Sequence, residues 1–379
     1  MSRARPFLLA LLLIAALLLP ASAALPEGYA EQRADSGADG LPQRLPADVR
    51  ELTQQLVGDP LSPEGYTALS FSAVLRTVAD LFGQSAGGPF SAALSLLGVT
   101  AVCAMLGGAE EGSTLPGVRQ TYHTVSGAAA CGLLLVPFMQ LLRTVADAVE
   151  SAEVFLLSFV PVYGALLSVG GSAAGALSYQ TTLLSAAQLL GAFVKAAVMP
   201  VLCCSLALGC VGAVTEGTCL TPLSAGLHKA VLWALGLFST VFSGVLGVQQ
   251  MVAAAGDSLG SRTLRFSLAN FVPVVGGALS EAYSTVLGCA GLLRSTVGCF
   301  GVLAVALIVL PPLVCCLCWQ LCLTLSASAA GMFRLSALET LSRAAAGAVR
   351  VMIAVLAVYA LLLIVSATVV VFCAKGAGG

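Results

Sequence analysis

Eight long apolar runs fill the chain between residues 89 and 373, at about 89–108, 126–142, 154–177, 183–213, 230–255, 271–292, 296–325 and 350–373. Each is long enough, or nearly so, to cross a bilayer, which takes about 20 residues. Lipid offers no partner to a free backbone N–H or C=O, so each run is expected as a helix. Charge density points the same way: 58% of residues are hydrophobic and 9% charged, against about 25% charged in a domain whose surface faces water. The expected fold class is an all-α polytopic membrane protein of about eight transmembrane helices, with 89–373 as the membrane domain and 374–379 as a tail. A net charge of −1 and 6% aromatics leave no basic stripe, which argues against a nucleic-acid partner.

The first residues carry an export signal. Arg3 and Arg5 form a positive start, Phe7 to Leu19 an apolar core of thirteen residues, and Ala21-Ser22-Ala23 a small-residue cleavage site. The alternative is an uncleaved anchor. Either way residues 24–88 are expected outside the cytoplasm. This segment opens with a charged stretch containing Pro42 and Pro46 that looks flexible, followed by amphipathic helices near 47–57 and 65–83. In the second, Phe71, Val74, Leu75, Val78 and Phe82 recur at helical spacing. It could lie along the membrane face or pack on the bundle.

With the amino end outside, loops at 109–125, 178–182, 256–270 and 326–349 fall on the cytoplasmic side. Counting Arg350 at the membrane edge, they hold six Lys or Arg against four in the outer loops (Arg143, Lys229, Arg294) and tail (Lys375). That is a weak bias in the positive-inside direction, and both ends are expected outside.

An internal match recurs at an offset of 112 residues. Residues 159–168 (FVPVYGALLS) and 271–280 (FVPVVGGALS) agree at seven of ten positions, and Pro200, Cys203 and Cys204 meet Pro312, Cys315 and Cys316. Fixed-period similarity marks repeated units. Residues 126–213 and 230–325 would then be copies of three crossings each, and an odd number of crossings inverts the second copy, a plan found in transporters. Pro200 and Pro311-Pro312 interrupt the two longest runs, where proline frees a carbonyl and kinks a helix. The kinks could serve gating or only packing.

Ionisable groups inside the runs are costly and face a bundle interior or water. Lys195 and Glu281 are such groups, and could pair or line a polar path; Lys195 could also snorkel. Together with Pro200, Pro311 and Pro312 they are the candidate conduit or gating residues. Gln320 reads as helix packing. Arg262, Arg265 and Asn270, in a short loop against the membrane, are candidates for orientation or partner docking.

None of the thirteen cysteines lies in 24–102, so there is no disulfide framework there. The Cys315-Cys316-x-Cys318 cluster lacks the His or carboxylate partners and the turn that a metal site wants, so no metal or other cofactor is expected. No enzyme signature survives either. Only His123 and His228 are present, there is no phosphate loop, and Gly256-Asp-Ser258-Leu-Gly260 lacks the strand and histidine of a nucleophile elbow.

One block of residues resembles a known family. Gly244-Val-Leu-Gly-Val-Gln-Gln250, Asp257, Arg262-Thr263, Arg265-Phe266, Asn270-Phe271-x-Pro273-x-Val275-Gly276, Thr285-Val-Leu-Gly-Cys289, Leu293, Val297-Gly298 and Gly301 are similar to the central block of the stage III sporulation protein AE family. The resemblance covers most of 65–373 and departs in its high cysteine content. It implies a role in endospore formation, in the mother-cell membrane facing the forespore. There the family belongs to a secretion-like assembly with a cytoplasmic ATPase and ring-forming membrane subunits. A conduit or export-gate role in that assembly is the first functional expectation. A stand-alone permease for a small solute, or a membrane scaffold without transport, are the alternatives.

Overall fold

The computed structural model describes the backbone of residues 29–67, 71–110, 116–169, 173–215, 221–271, 276–333 and 335–376; the side chains of 67–75, 106–120, 169–175, 216–221, 253–290 and 363–376, and of a few single positions between them, lie outside the described set. Residues 1–23, read as the signal, also lie outside it.

A small helical cap comes first: α1 (Tyr29–Asp35), two 3₁₀ turns (Ala38–Gly40 and Pro42–Arg44), α2 (Ala47–Val57) and α3 (Pro63–Thr67). The stretch expected to be flexible is folded over its described part. Leu41, Leu45, Val49 and Leu61 are buried, and Arg33 joins Asp39 at 2.6 Å and Asp59 at 2.8 Å. Tyr29 donates to the Leu61 carbonyl at 2.9 Å and Tyr66 to that of Pro60 at 2.6 Å. Gly58 ends α2 at φ +73°, a left-handed conformation that favours glycine.

The rest is a bundle of very long helices: α4 (Phe71–Glu110), α5 (Pro116–Val169), α6 (Ala173–Phe193), a π turn (Val194–Val198), α7 (Met199–Val214), α8 (Thr221–Phe271), α9 (Gly276–Met332) and α10 (Ser336–Gly376). Among the described residues six helical stretches are long and apolar enough to cross a membrane. The eight apolar runs fall on these six. Runs 126–142 and 154–177 both lie on α5 and its continuation toward α6, and 271–292 with 296–325 lie almost wholly on α9. The turns expected at 143–153 and 293–295, and the loop expected at 256–270, are helical. The reason is periodic. Leu134, Phe138, Leu141, Val145, Val149, Ala152, Phe155 and Phe159 recur every three or four residues and are all buried, while Arg143, Asp147 and Glu150 fall on the exposed face.

Helices α9 and α10 form the centre. Within the apolar 18-residue windows of these stretches, buried positions make up 72% in Gly291–Met332 and 61% in Ser336–Leu362, against 22% in the outlying Gly87–Met105 and Pro222–Gln249. The cap rests on α9, with Tyr29 reaching Thr296. Lipid tails are as apolar as leucine, so helices in a membrane associate through close packing at small residues. A Cβ on Gly127 would strike the Ala213 carbonyl, one on Gly209 would lie 2.8 Å from Ala344 Cβ, and one on Gly301 would enter the Phe159 ring. Stacked and edge contacts among Phe155, Phe159, Tyr163, Tyr179 and Phe300, at centroid spacings of 5.3–6.0 Å, fill the seam of α5, α6 and α9.

These contacts also set direction. Gly127 meets Ala213, Cys131 meets Cys210 and Glu153 meets Lys195, so α6–α7 runs antiparallel to α5. Phe159 meets Gly301 and Tyr163 meets Gly298, so α9 is antiparallel to α5 as well. The matched runs 183–213 and 296–325 therefore point the same way, and the inversion expected from three crossings each is not what the chain builds. Runs counted as two crossings belong to one helix.

Candidate functional site

Lys195 occupies the π turn between α6 and α7, and Pro200 follows in the first turn of α7. Proline lacks an N–H and its ring crowds the carbonyl four residues back, so it is best tolerated at a helix start. The π turn just ahead of it gives the chain such a start inside an otherwise continuous rod. Single π turns inside α-helices are frequent at functional sites.

Among the described residues, Lys195 takes Glu153 as its carboxylate partner. Its Nζ donates to Glu153 Oε2 at 3.0 Å. The Glu153 side chain is largely covered, at 16% exposure, and that of Lys195 is open, at 56%. Gly191 makes the seat: the carboxylate lies where a side chain on α6 would otherwise stand. Behind it, Tyr359 of α10 is wholly buried and close enough to feel the Glu153 charge, and its hydroxyl makes no hydrogen bond among the described residues.

Counting along the helices from the Glu153–Lys195 and Phe159–Gly301 contacts puts Pro200 and Pro311-Pro312 at about the same level, opposite the α5 residues near 148. The three candidate prolines thus lie at one level, about 7.5 Å along the axis from the ion pair. Helix α9 stays helical through Pro311 and Pro312. The side chains of Glu281, Arg262, Arg265 and Asn270 lie outside the described residues.

Sequence reasoning missed Glu153, Gly191 and Tyr359. Glu153 sits in a charged stretch that reads as a loop, although the apolar spacing through 141–155 marks a helix there. A carboxylate and an ammonium held between two helices, beside a local widening, can fix the register of α5 against α6. They can also exchange for other partners if the helices shift.

The comparisons with known proteins bear on what such a bundle serves. The model of the family described as Stage III sporulation protein AE matches residues 53–374. The chain belongs to that family. A stage III sporulation protein AE of Bacillus subtilis (strain 168) is 33% identical over 170 residues, which cover 45% of this chain and 43% of that protein. No solved structure matches the chain. Family membership and the apolar helices make the chain a polytopic helical membrane protein of a sporulation family.

Proposed function

We propose that this chain is a membrane core subunit of a secretion-like complex joining mother cell and forespore, acting in its conduit or export gate. The observation that carries the reading is the family match, which spans nearly the whole bundle. In this reading the mother-cell membrane holds the chain. A cytoplasmic ATPase supplies energy that the chain has no recognisable nucleotide motif to supply, and ring-forming membrane subunits complete the passage. Phe155, Phe159, Tyr163, Phe300 and Tyr359 fill the interior of the described bundle. The passage therefore runs between subunits rather than through one copy. Helix α8 exposes Leu237, Val241, Val245 and Val248 along one side, and that side is where a neighbouring subunit packs.

The test is complementation of a spore former lacking its own copy, with and without the partner subunits. The reading expects wild-type chain to restore spores only when the ATPase and ring subunits are present. Solute uptake by the purified chain alone in liposomes would replace it with the stand-alone permease. Full rescue by Glu153→Gln, Lys195→Met and α8-face variants alike would favour a passive scaffold.

A further inference from the structure

The apolar stretch Thr124–Ser168 is 45 residues of continuous helix, Ala176–Val214 is 39 and Gly291–Met332 is 42. At 1.5 Å per residue these are about 68, 58 and 63 Å long. A bilayer core is about 30 Å thick, and fitting 68 Å into it needs a tilt above 60°, when transmembrane helices tilt by 0–40°. Half of the bundle has to stand clear of the hydrocarbon.

Two sets of charges say which half. The cap of residues 29–67 carries seven acidic and three basic side chains, and it seats at one end of the bundle: Tyr29 on Thr296, Tyr66 beside Cys299, and Leu41 with Arg44 across a groove of about 410 Å³ from Val154 and Pro161. Such a surface cannot enter lipid tails. Midway along the helices runs a belt of exposed charge from several elements: Arg143, Asp147 and Glu150 on α5, Lys195 in the π turn, Lys229 on α8 and Arg350 on α10. Arg143 lies 19 residues from Thr124, about 28 Å along the axis. The contacts of Gly347 with His228 and of Gly209 with Ala344 bring Lys229 and Arg350 within about two turns of its level. Away from the cap, Leu133, Val136, Leu321 and Leu325 face outward. In that half Arg343 is tied at 2.6 Å to Glu339 one turn nearer the helix start, a placement from which a long side chain reaches the headgroups.

We propose that the bilayer covers only the half of the bundle remote from the cap, with Arg143, Lys229 and Arg350 at the headgroup phosphates, and that the capped half projects about 40 Å from them. Helix α5 then crosses once and continues as a stalk. The inference rests on helix length and charge, so it stands whether or not the channel reading does.

Four single cysteines on one helix test it, each in a full-length chain otherwise free of cysteine: Leu133→Cys, Val136→Cys, Val154→Cys and Leu157→Cys, in vesicles of phosphatidylethanolamine and phosphatidylglycerol. All four positions are exposed. The expected result is at least tenfold faster reaction of 154 and 157 with a membrane-impermeant maleimide. A bimane label at 133 and 136, and not at 154 or 157, should be quenched by lipid brominated on its tails. Tail quenching at all four positions, or equal maleimide rates along the helix, overturns the proposal. Equal labelling of all four in denaturant checks that each thiol is reactive, and if one variant fails to fold the other in its half still decides.

Discussion

The Glu153 carboxylate lies against Gly191, so closely that a Cβ built on that glycine falls 2.7 Å from the carboxyl carbon. The crowding atom is the far end of a flexible side chain. At Gly127 the crowding atom is instead the Ala213 backbone carbonyl, which cannot swing away. Alanine gains about 0.5–1 kcal/mol over glycine in a helix interior, whereas overpacking a fixed neighbour costs about 1–3 kcal/mol. Gly191→Ala is therefore expected to leave thermal stability in detergent nearly unchanged while displacing Glu153. Gly127→Ala should lower it clearly. Equal Tm values for the two variants would contradict the contacts described.

The ion pair is asymmetric, because Glu153 is covered and Lys195 is open. Removing Lys195 strands a carboxylate; removing Glu153 leaves an ammonium that can still reach solvent or phosphate. Lys195→Met should cost about 1–3 kcal/mol, as for a covered polar group that loses its partner, and Glu153→Gln less than about 1 kcal/mol, as for an exposed pair. The double variant should be less damaging than the sum of the singles, since the two residues share one interaction. A strictly additive cycle would mean that they do not interact.

Acid should loosen the cap before the bundle. Burial works against the charge on Asp59, but the Arg33 guanidinium and the Leu61 N–H outweigh it and hold the carboxyl below its usual range. Because the folded value is the lower one, the stabilisation is fully present above the unfolded value of about 4. It is lost as pH falls through the folded value. Proteolysis within 29–67 should accelerate below about pH 4 in wild type, and Asp59→Asn should be more susceptible at neutral pH with a flatter acid dependence.

Cys131 and Cys210 are neighbours across α5 and α7, with Cys131 Sγ 3.9 Å from the Cys210 carbonyl. In a chain keeping only these two thiols, copper-phenanthroline should join them. A protease site inserted at 170–172 then cuts the chain into fragments that stay together on a non-reducing gel and separate when reduced. Fragments that separate without reductant would refute the antiparallel register of this hairpin.

Much of the architecture was readable from residue types. Nine charges per hundred residues leave lipid as the solvent, and α2 sits at 47–57 as its amphipathic spacing indicates. The middle of α5 was harder. Arg143, Asp147, Glu150 and Glu153 look like a loop between two spans, yet no glycine or proline separates Pro137 from Pro161 and the buried spacing never breaks. Charge on one face masked period on the other. The pairing of Glu153 with Lys195, 42 residues away, depends on how two helices are juxtaposed, which one sequence does not encode locally. Pro200 was the visible trace of the π turn, and its effect on the turn ahead of it needs the backbone to be seen.

That turn has a rotational consequence. One residue of α-helix advances the side-chain direction by about 100°, so the extra residue taken up at Val194–Val198 dephases everything after it. Helix α6 packs chiefly on α5 and α8, and α7 chiefly on α10. The two halves of one rod thus address different neighbours, and the offset between them is counted in whole residues. Deleting Ala196 would bring the two stripes back into phase and turn α7 away from α10, an error that no change of side chain could correct.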